Sequence, residues 1–133
     1  MQQEFGRSLD ELGEIVSFTD AFFLENDIDA SVRNIADLCV EELFVNMITY
    51  NTESNADILI EMKPHEHGVE ISLTDFDVER FDPREVQPVD ITAPLEQRTP
   101  GGLGLYLVLK MANSIHYEYR NRTSKITFIA DRK

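Results

Sequence analysis

Apolar residues recur at helical spacing in the first stretch of the chain, residues 8–25. The stretch begins with Ser8 and has Glu11 three positions later, which is the pattern of a helix capping box. The spacing predicts a first helix over residues 8–25. Its apolar positions are Leu12, Ile15, Val16, Phe22 and Phe23.

A second helical pattern covers residues 27–51, where either Asp29 or Ser31 is suited to cap the helix. Cys39 lies on its apolar face, so we expect this cysteine in the core. The positions that define the face are Val32, Ile35, Leu38, Cys39, Leu43 and Met47.

The pattern then changes to strands. Residues 56–64 and 68–77 predict two strands joined by a short polar turn, and residues 114–121 and 124–132 predict a second hairpin. His65 and His67 form an H-x-H pair at the first turn. With no third ligand in view, a solvated turn is favoured over a metal site.

Between the two hairpins, residues 78–100 contain four prolines and no clear period, which predicts a long loop. A third helix is expected from the glycines near residue 101 to Asn113. The order of elements indicates one α+β domain over residues 1–133, a two-layer α/β sandwich with strands on one face and helices on the other.

Charge narrows the classes of partner. The chain of 133 residues has 12 Lys and Arg against 25 Asp and Glu, a net charge of −13. Such a surface repels nucleic acid and anionic lipid. No apolar run is long enough to span a membrane, the N-terminus does not resemble a signal peptide, and Cys39 is the only cysteine. These features predict a cytoplasmic protein that binds neither nucleic acid nor membrane.

Three of the six glycines, Gly101, Gly102 and Gly104, fall within four positions at the start of the third predicted helix. Glycine is unfavourable in a helix, but it lets backbone amides at a helix start approach an anion closely. The cluster indicates either a phosphate site or a tight loop. Because the chain is so acidic, a phosphate there is expected to arrive with a cation such as Mg²⁺.

Glu42 and Asn46 lie one turn apart on one face of the second predicted helix. An Asn carbonyl is a hard oxygen ligand suited to Mg²⁺, and a Glu carboxylate can accept a proton from a hydroxyl or water. Taken alone, this spacing favours ordinary helix surface.

The combination is more specific than its parts. The segment "EELFVN" on a helix is followed by a strand ending in "LTDFD", then "RFDP", a loop, and "GGLGLYLV" at a helix start. This order resembles the GHKL ATPase and kinase superfamily and, within it, the small single-domain anti-sigma-factor serine kinases. The resemblance covers residues 6–130.

The resemblance implies a fold of the Bergerat (GHKL) type, a four- or five-stranded, mixed but mostly antiparallel sheet backed by three helices, with ATP and Mg²⁺ as ligands. Glu42 matches the general base of the family and Asn46 matches its Mg²⁺ ligand. Asp75 matches the aspartate that accepts a hydrogen bond from the adenine amino group.

The resemblance also assigns the phosphate contacts. Gly102 and Gly104, in the cluster with Gly101, match glycines whose amides meet the phosphates. Arg98 lies where such kinases often carry a basic residue near the terminal phosphate. Residues 78–100 correspond to a lid over the nucleotide.

The adenine motif departs from the family pattern, which has glycine two positions after the aspartate. Here that position is Asp77, and one extra residue precedes Phe81. The register is therefore ambiguous, and Asp75 is preferred to Asp77 as the residue that faces the base.

The implied function is a serine/threonine kinase in a partner-switching system, which phosphorylates a STAS-domain antagonist or binds a sigma factor. Homodimers are common in this branch. The alternative is a non-catalytic protein-binding module with a degenerate nucleotide site, favoured by the missing glycine and opposed by Glu42, Asn46 and the glycine cluster.

Overall fold

The structure, a computed structural model, describes residues 1–50, 54–66, 68–79 and 114–131, with the Tyr50 side chain left out. Within these ranges the chain forms two α-helices and a five-stranded sheet. The helices are α1 (Leu12–Glu25) and α2 (Ala30–Tyr50), and the strands are β1 (Gln2–Phe5), β2 (Ile58–His65), β3 (Gly68–Phe76), β4 (Ser114–Arg120) and β5 (Thr123–Ala130).

The strands are arranged in the order β1-β2-β3-β5-β4, and every pair of neighbours is antiparallel. The α+β class is confirmed. The resemblance implies a mixed sheet, and this is wrong for the described strands, because all four pairs of neighbouring strands are antiparallel. The third predicted helix, from the glycines to Asn113, lies outside the described residues, so two of the three expected helices are seen.

The first strand, β1, has no counterpart among the predicted elements. Its sequence QQEF has one buried residue, Phe5, and it pairs with β2 at an edge of the sheet. A four-residue edge strand with polar side chains on both faces carries no apolar alternation, so the pattern cannot indicate it.

The first helix begins later than predicted. Ser8 caps a short 3-10 helix over Leu9–Glu11 by accepting from the backbone N–H of Asp10, and α1 starts at Leu12. The Glu11 carboxylate accepts from the backbone N–H of Gly6 at 3.3 Å, instead of closing a capping box on Ser8. This arrangement fixes the turn that carries Arg7 between β1 and α1.

The second helix is capped by Asp29, whose carboxylate accepts from the backbone N–H and the hydroxyl of Ser31. Its apolar face packs on β3 and β5. Cys39 is fully buried, as predicted, and burial raises the pKa of its thiol to about 12. The buried residues of α2 are Val32, Ala36, Cys39, Val40, Leu43, Phe44 and Met47.

The core lies between the helices and one face of the sheet. Along β3 this face is formed by alternate residues, Val69, Ile71 and Leu73, all fully buried in one cluster with α1 and α2. Because strand side chains alternate between faces, Asp75 is the next residue on the same face. The strand therefore carries a carboxylate toward the helices at its C-terminal end.

Candidate functional site

Asp75 occupies a fully buried position near the end of β3, and it forms an ion pair with Arg7. The Arg7 side chain is itself only 11% exposed. A second nitrogen of its guanidinium, Nη1, donates to the carbonyl oxygen of Met47 at 3.5 Å. A single guanidinium therefore brings the end of β3 together with the last turns of α2.

The residues after Asp75 are held from other parts of the fold. Phe76 accepts a hydrogen bond at its carbonyl from the hydroxyl of Ser54, at 2.5 Å. Ser54 is buried and also accepts from the backbone N–H of Ala56. The segment that enters β2 is thereby joined to the end of β3.

Asp77, at the position where the family pattern has glycine, has a φ of 58°. This is the left-handed region, which glycine enters freely and Asp tolerates better than most residues. Its carboxylate is exposed and forms an ion pair with Arg122, with Nε and Oδ1 3.0 Å apart. The Asp77 side chain therefore points to the β4–β5 turn, whereas that of Asp75 is buried against Arg7.

Val78 is bound on both backbone groups by the β4–β5 hairpin. Its N–H donates to the carbonyl of Arg122 at 2.9 Å, and its carbonyl accepts from the Tyr119 hydroxyl at 2.7 Å. The two-residue turn of this hairpin has φ values of 53° at Asn121 and 59° at Arg122, as in a type I′ turn. Four successive residues, 75–78, are thus each fixed by a partner from elsewhere in the chain.

Glu42 and Asn46 lie one turn apart on α2, at the border of its buried face. Asn46 is 8% exposed, and within the described ranges its side chain forms no hydrogen bond. Its amide oxygen is thus compatible with a role as ligand to a hard cation. Glu42 is half-buried, and burial, followed by the neighbouring charge of Glu41, raises the pKa of its carboxyl.

The other predicted site residues, Arg98, Gly101, Gly102 and Gly104, lie outside the described residues, as does most of the predicted lid. Of the predicted site residues, the structure therefore describes Asp75 on β3 and Glu42 and Asn46 on α2.

The sequence pattern did not single out Arg7, which lies in a polar segment before the first helix. A physical signal was nevertheless present. Asp75 is predicted near the end of a strand with alternating apolar residues, and a carboxylate that such a strand carries into the core requires a cation or several hydrogen bonds. A chain with 12 basic residues offers few candidates for that partner.

His65 has two carboxylates beside it at the opposite end of β3. Potential ligand atoms of His65, Glu66 and Asp131 lie within 4.8 Å of one another, while His67 lies outside the described residues. A cavity of about 230 Å³ between the α1–α2 loop and this turn includes Glu66 in its lining. Exposed acidic groups of this kind are common without an ion, so the cluster by itself does not define a metal site.

Within the described ranges the chain is an α+β domain, with a five-stranded antiparallel sheet and two helices packed on one face, and this arrangement is consistent with the fold of histidine kinase-like ATPase domains. The family comparison agrees: the model of the histidine kinase-like ATPase domain matches residues 5–130. The chain belongs to this family, which implies ATP binding and a regulatory role.

Comparison with curated proteins gives no match. In the described parts of the chain, neither helix is long and apolar enough to cross a membrane.

Proposed function

We propose that the protein is a cytoplasmic serine/threonine kinase of the anti-sigma-factor type, which transfers a phosphoryl group from Mg·ATP to a serine of a STAS-domain antagonist. In this role it binds the antagonist or a sigma factor. The observation that carries the proposal is that Arg7 contacts both Asp75 and the Met47 carbonyl. The residue proposed to bind adenine therefore lies near the end of the helix that carries Glu42 and Asn46.

Base recognition is assigned to Asp75. An ionised carboxylate only accepts hydrogen bonds, so it complements the exocyclic amino group of adenine. The fixed backbone of residues 75–78 supports this role, because a preformed site does not have to be ordered when the ligand binds.

Glu42 is assigned as the general base. Burial raises the pKa of the Glu42 carboxyl, and a carboxylate with a raised pKa is a better proton acceptor than an ordinary surface Glu. The serine oxygen attacks the γ-phosphorus, the bond to the oxygen that bridges the β- and γ-phosphates breaks, and ADP leaves. The serine proton passes to the Glu42 carboxylate.

Asn46 is assigned to the metal. The chemistry of its donor fits, since a nearly buried amide oxygen is a hard ligand and suits Mg²⁺. When bound, Mg²⁺ would neutralise negative charge on the phosphates. Because the net charge of −13 repels an anionic nucleotide, such neutralisation favours its binding here.

Calorimetric titration with ATP, in excess Mg²⁺ and separately in EDTA, tests the proposal. We expect binding that depends on Mg²⁺, weakened in Asn46→Ala and largely retained in Glu42→Ala. With a STAS-domain substrate, Glu42→Ala should abolish phosphoryl transfer. Transfer by Glu42→Ala at the parent rate would show that Glu42 is not the base.

The second candidate is a protein-binding module that acts by contact alone. Its support is Asp77, whose carboxylate stands where the family pattern has glycine and adds negative charge near an anionic ligand. The same titration separates the two candidates, because the module binds no ATP at any Mg²⁺ concentration.

A further inference from the structure

We propose that Arg7 is a positioning residue for recognition of the nucleotide base, acting by fixing the orientation of the Asp75 carboxylate. This inference rests on the proposed function, in which Asp75 accepts a hydrogen bond from the adenine amino group. It adds a residue of the N-terminal segment to a site otherwise assigned to α2, β3 and the glycine cluster.

The position of Arg7 is well defined. It lies in the turn between β1 and the 3-10 helix, where the N–H of Ser8 donates to the carbonyl of Gly6 at 3.0 Å and Glu11 binds the N–H of Gly6. From this turn the side chain passes into the core and reaches Asp75 and the Met47 carbonyl.

Burial makes the ion pair consequential. Asp75 is fully buried and Arg7 nearly so, so the charge of the carboxylate is compensated by the guanidinium at close range and not by bulk water. If a buried carboxylate lost its cation, protonation would become favourable, and one of its oxygens would become a donor. A donor opposes the adenine amino group, which also donates.

Orientation follows from the shape of the guanidinium. Its nitrogens form a planar, rigid fork, and two of them are engaged, one with Asp75 and one with Met47 in α2. A carboxylate offers about four lone-pair positions, so it can bind Arg7 and still accept from a base. The fork thus couples the orientation of Asp75 to the part of α2 that carries Asn46.

The test compares two nucleotides in the presence of Mg²⁺: ATP and purine riboside triphosphate, which lacks the 6-amino group. The measured quantity is the ratio of their dissociation constants in each variant, which cancels any loss of folded protein. A hydrogen bond to a charged group corresponds to a ratio of about 10 or more in the parent. We expect Arg7→Met to lower the ratio toward one, and Arg7→Lys, which keeps the charge but not the fork, to give an intermediate ratio.

Two further variants complete the design. Arg33→Met removes an arginine from a surface ion pair with Asp20, and it should leave the ratio unchanged. Asp75→Asn should abolish the preference for ATP, and Arg7→Met added to Asp75→Asn should change the ratio no further, because Arg7 acts through Asp75.

The outcomes are distinguishable. If the parent binds no ATP, the proposed function fails and this inference fails with it. If the parent prefers ATP and Arg7→Met keeps that preference, the inference alone is overturned. It is also overturned if Arg7→Met binds ATP more tightly than the parent, which would show that Arg7 obstructs the base. If Arg7→Met does not fold, the ratio of Arg7→Lys decides: a parent-like value overturns the inference and a lowered one supports it.

Discussion

The ion pair between Arg7 and Asp75 should also be a large contributor to stability, and its removal gives the clearest test of the fold. Replacing Arg7 by Met keeps much of the side-chain volume but leaves the Asp75 carboxylate buried without its cation. Breaking a buried pair from one side costs about 3–5 kcal/mol. Domains of this size have a free energy of unfolding of about 5–15 kcal/mol, so the variant is expected to lose a large share of it.

A matched variant exists on the surface. The side chains of Arg33 and Asp20 are 39% and 43% exposed in their ion pair, so that pair is worth about 0–1 kcal/mol. Arg33 also lies 5.5 Å from the centroid of the Phe23 ring, which adds about 0.5–1 kcal/mol. Arg33 also pairs with Asp37 one turn further on, at 3.7 Å, which adds about 0.3–0.5 kcal/mol. Arg33→Met should therefore cost no more than about 2.5 kcal/mol.

Urea denaturation followed by circular dichroism at pH 7 gives the free energies of unfolding. A double-mutant cycle with Asp75→Asn isolates the pair. We expect a coupling of at least about 1 kcal/mol, because the double variant no longer buries an uncompensated charge. An Arg7→Met loss no greater than that of Arg33→Met, or additive effects in the cycle, would refute the buried pair.

Three other predictions concern single positions. Gly68→Ala should destabilise the fold by about 3 kcal/mol or more, since the new Cβ would overlap backbone just after the end of β5, with the nearest carbon at 2.6 Å. Gly13→Ala has nothing within 4 Å of the new Cβ and should stabilise α1 by up to about 1 kcal/mol. Urea denaturation measures both changes, and a loss below about 1 kcal/mol for Gly68→Ala would contradict the close approach. Asp77→Gly should strengthen binding of Mg·ATP several-fold in calorimetry, because it removes a carboxylate and leaves Arg122 available to the anion; unchanged or weaker binding would argue against this. Folding raises the pKa of the Glu42 carboxyl, so the parent protein loses stability as the pH rises above 4.5 and this group ionises. Glu42→Gln has no such group and should therefore be more stable than the parent at about pH 7. The difference in the free energy of unfolding should vanish on acidification to about pH 4, and a gain that persists there would show another cause.

The periodic parts of the fold could be predicted from the sequence. The apolar face of α2 and the alternation along β3 and β5 each place several large side chains on one side of an element, so the signal is repeated and strong. Cys39 is predicted in the core on this basis, and it is fully buried, whereas Ile35 and Leu38 of the same predicted face are only partly buried.

The features that the pattern missed depend on single contacts between distant segments. β1 exists because β2 offers it a free edge, and nothing in QQEF indicates that edge. Arg7 contacts Asp75, 68 positions away along the chain, through a buried ion pair that no local spacing encodes. The start of α1 differs from prediction for a related reason, since Glu11 binds Gly6 instead of completing a local cap.

The absent glycine of the adenine motif bears most directly on whether the site is intact. Glycine at that position would have no side chain and could adopt a left-handed backbone without strain. Asp77 adopts a φ of 58°, which is a conformation open to glycine, and the next residue, Val78, is bound on both backbone groups by Tyr119 and Arg122. What is added is a carboxylate, and that carboxylate is exposed and paired with Arg122, away from the buried Asp75. The substitution therefore changes the charge near the site more than its shape, and Arg122 offsets part of that charge. The ordered backbone of residues 75–78 and the outward direction of the Asp77 carboxylate are compatible with a nucleotide site, and they support the proposed kinase over the adaptor.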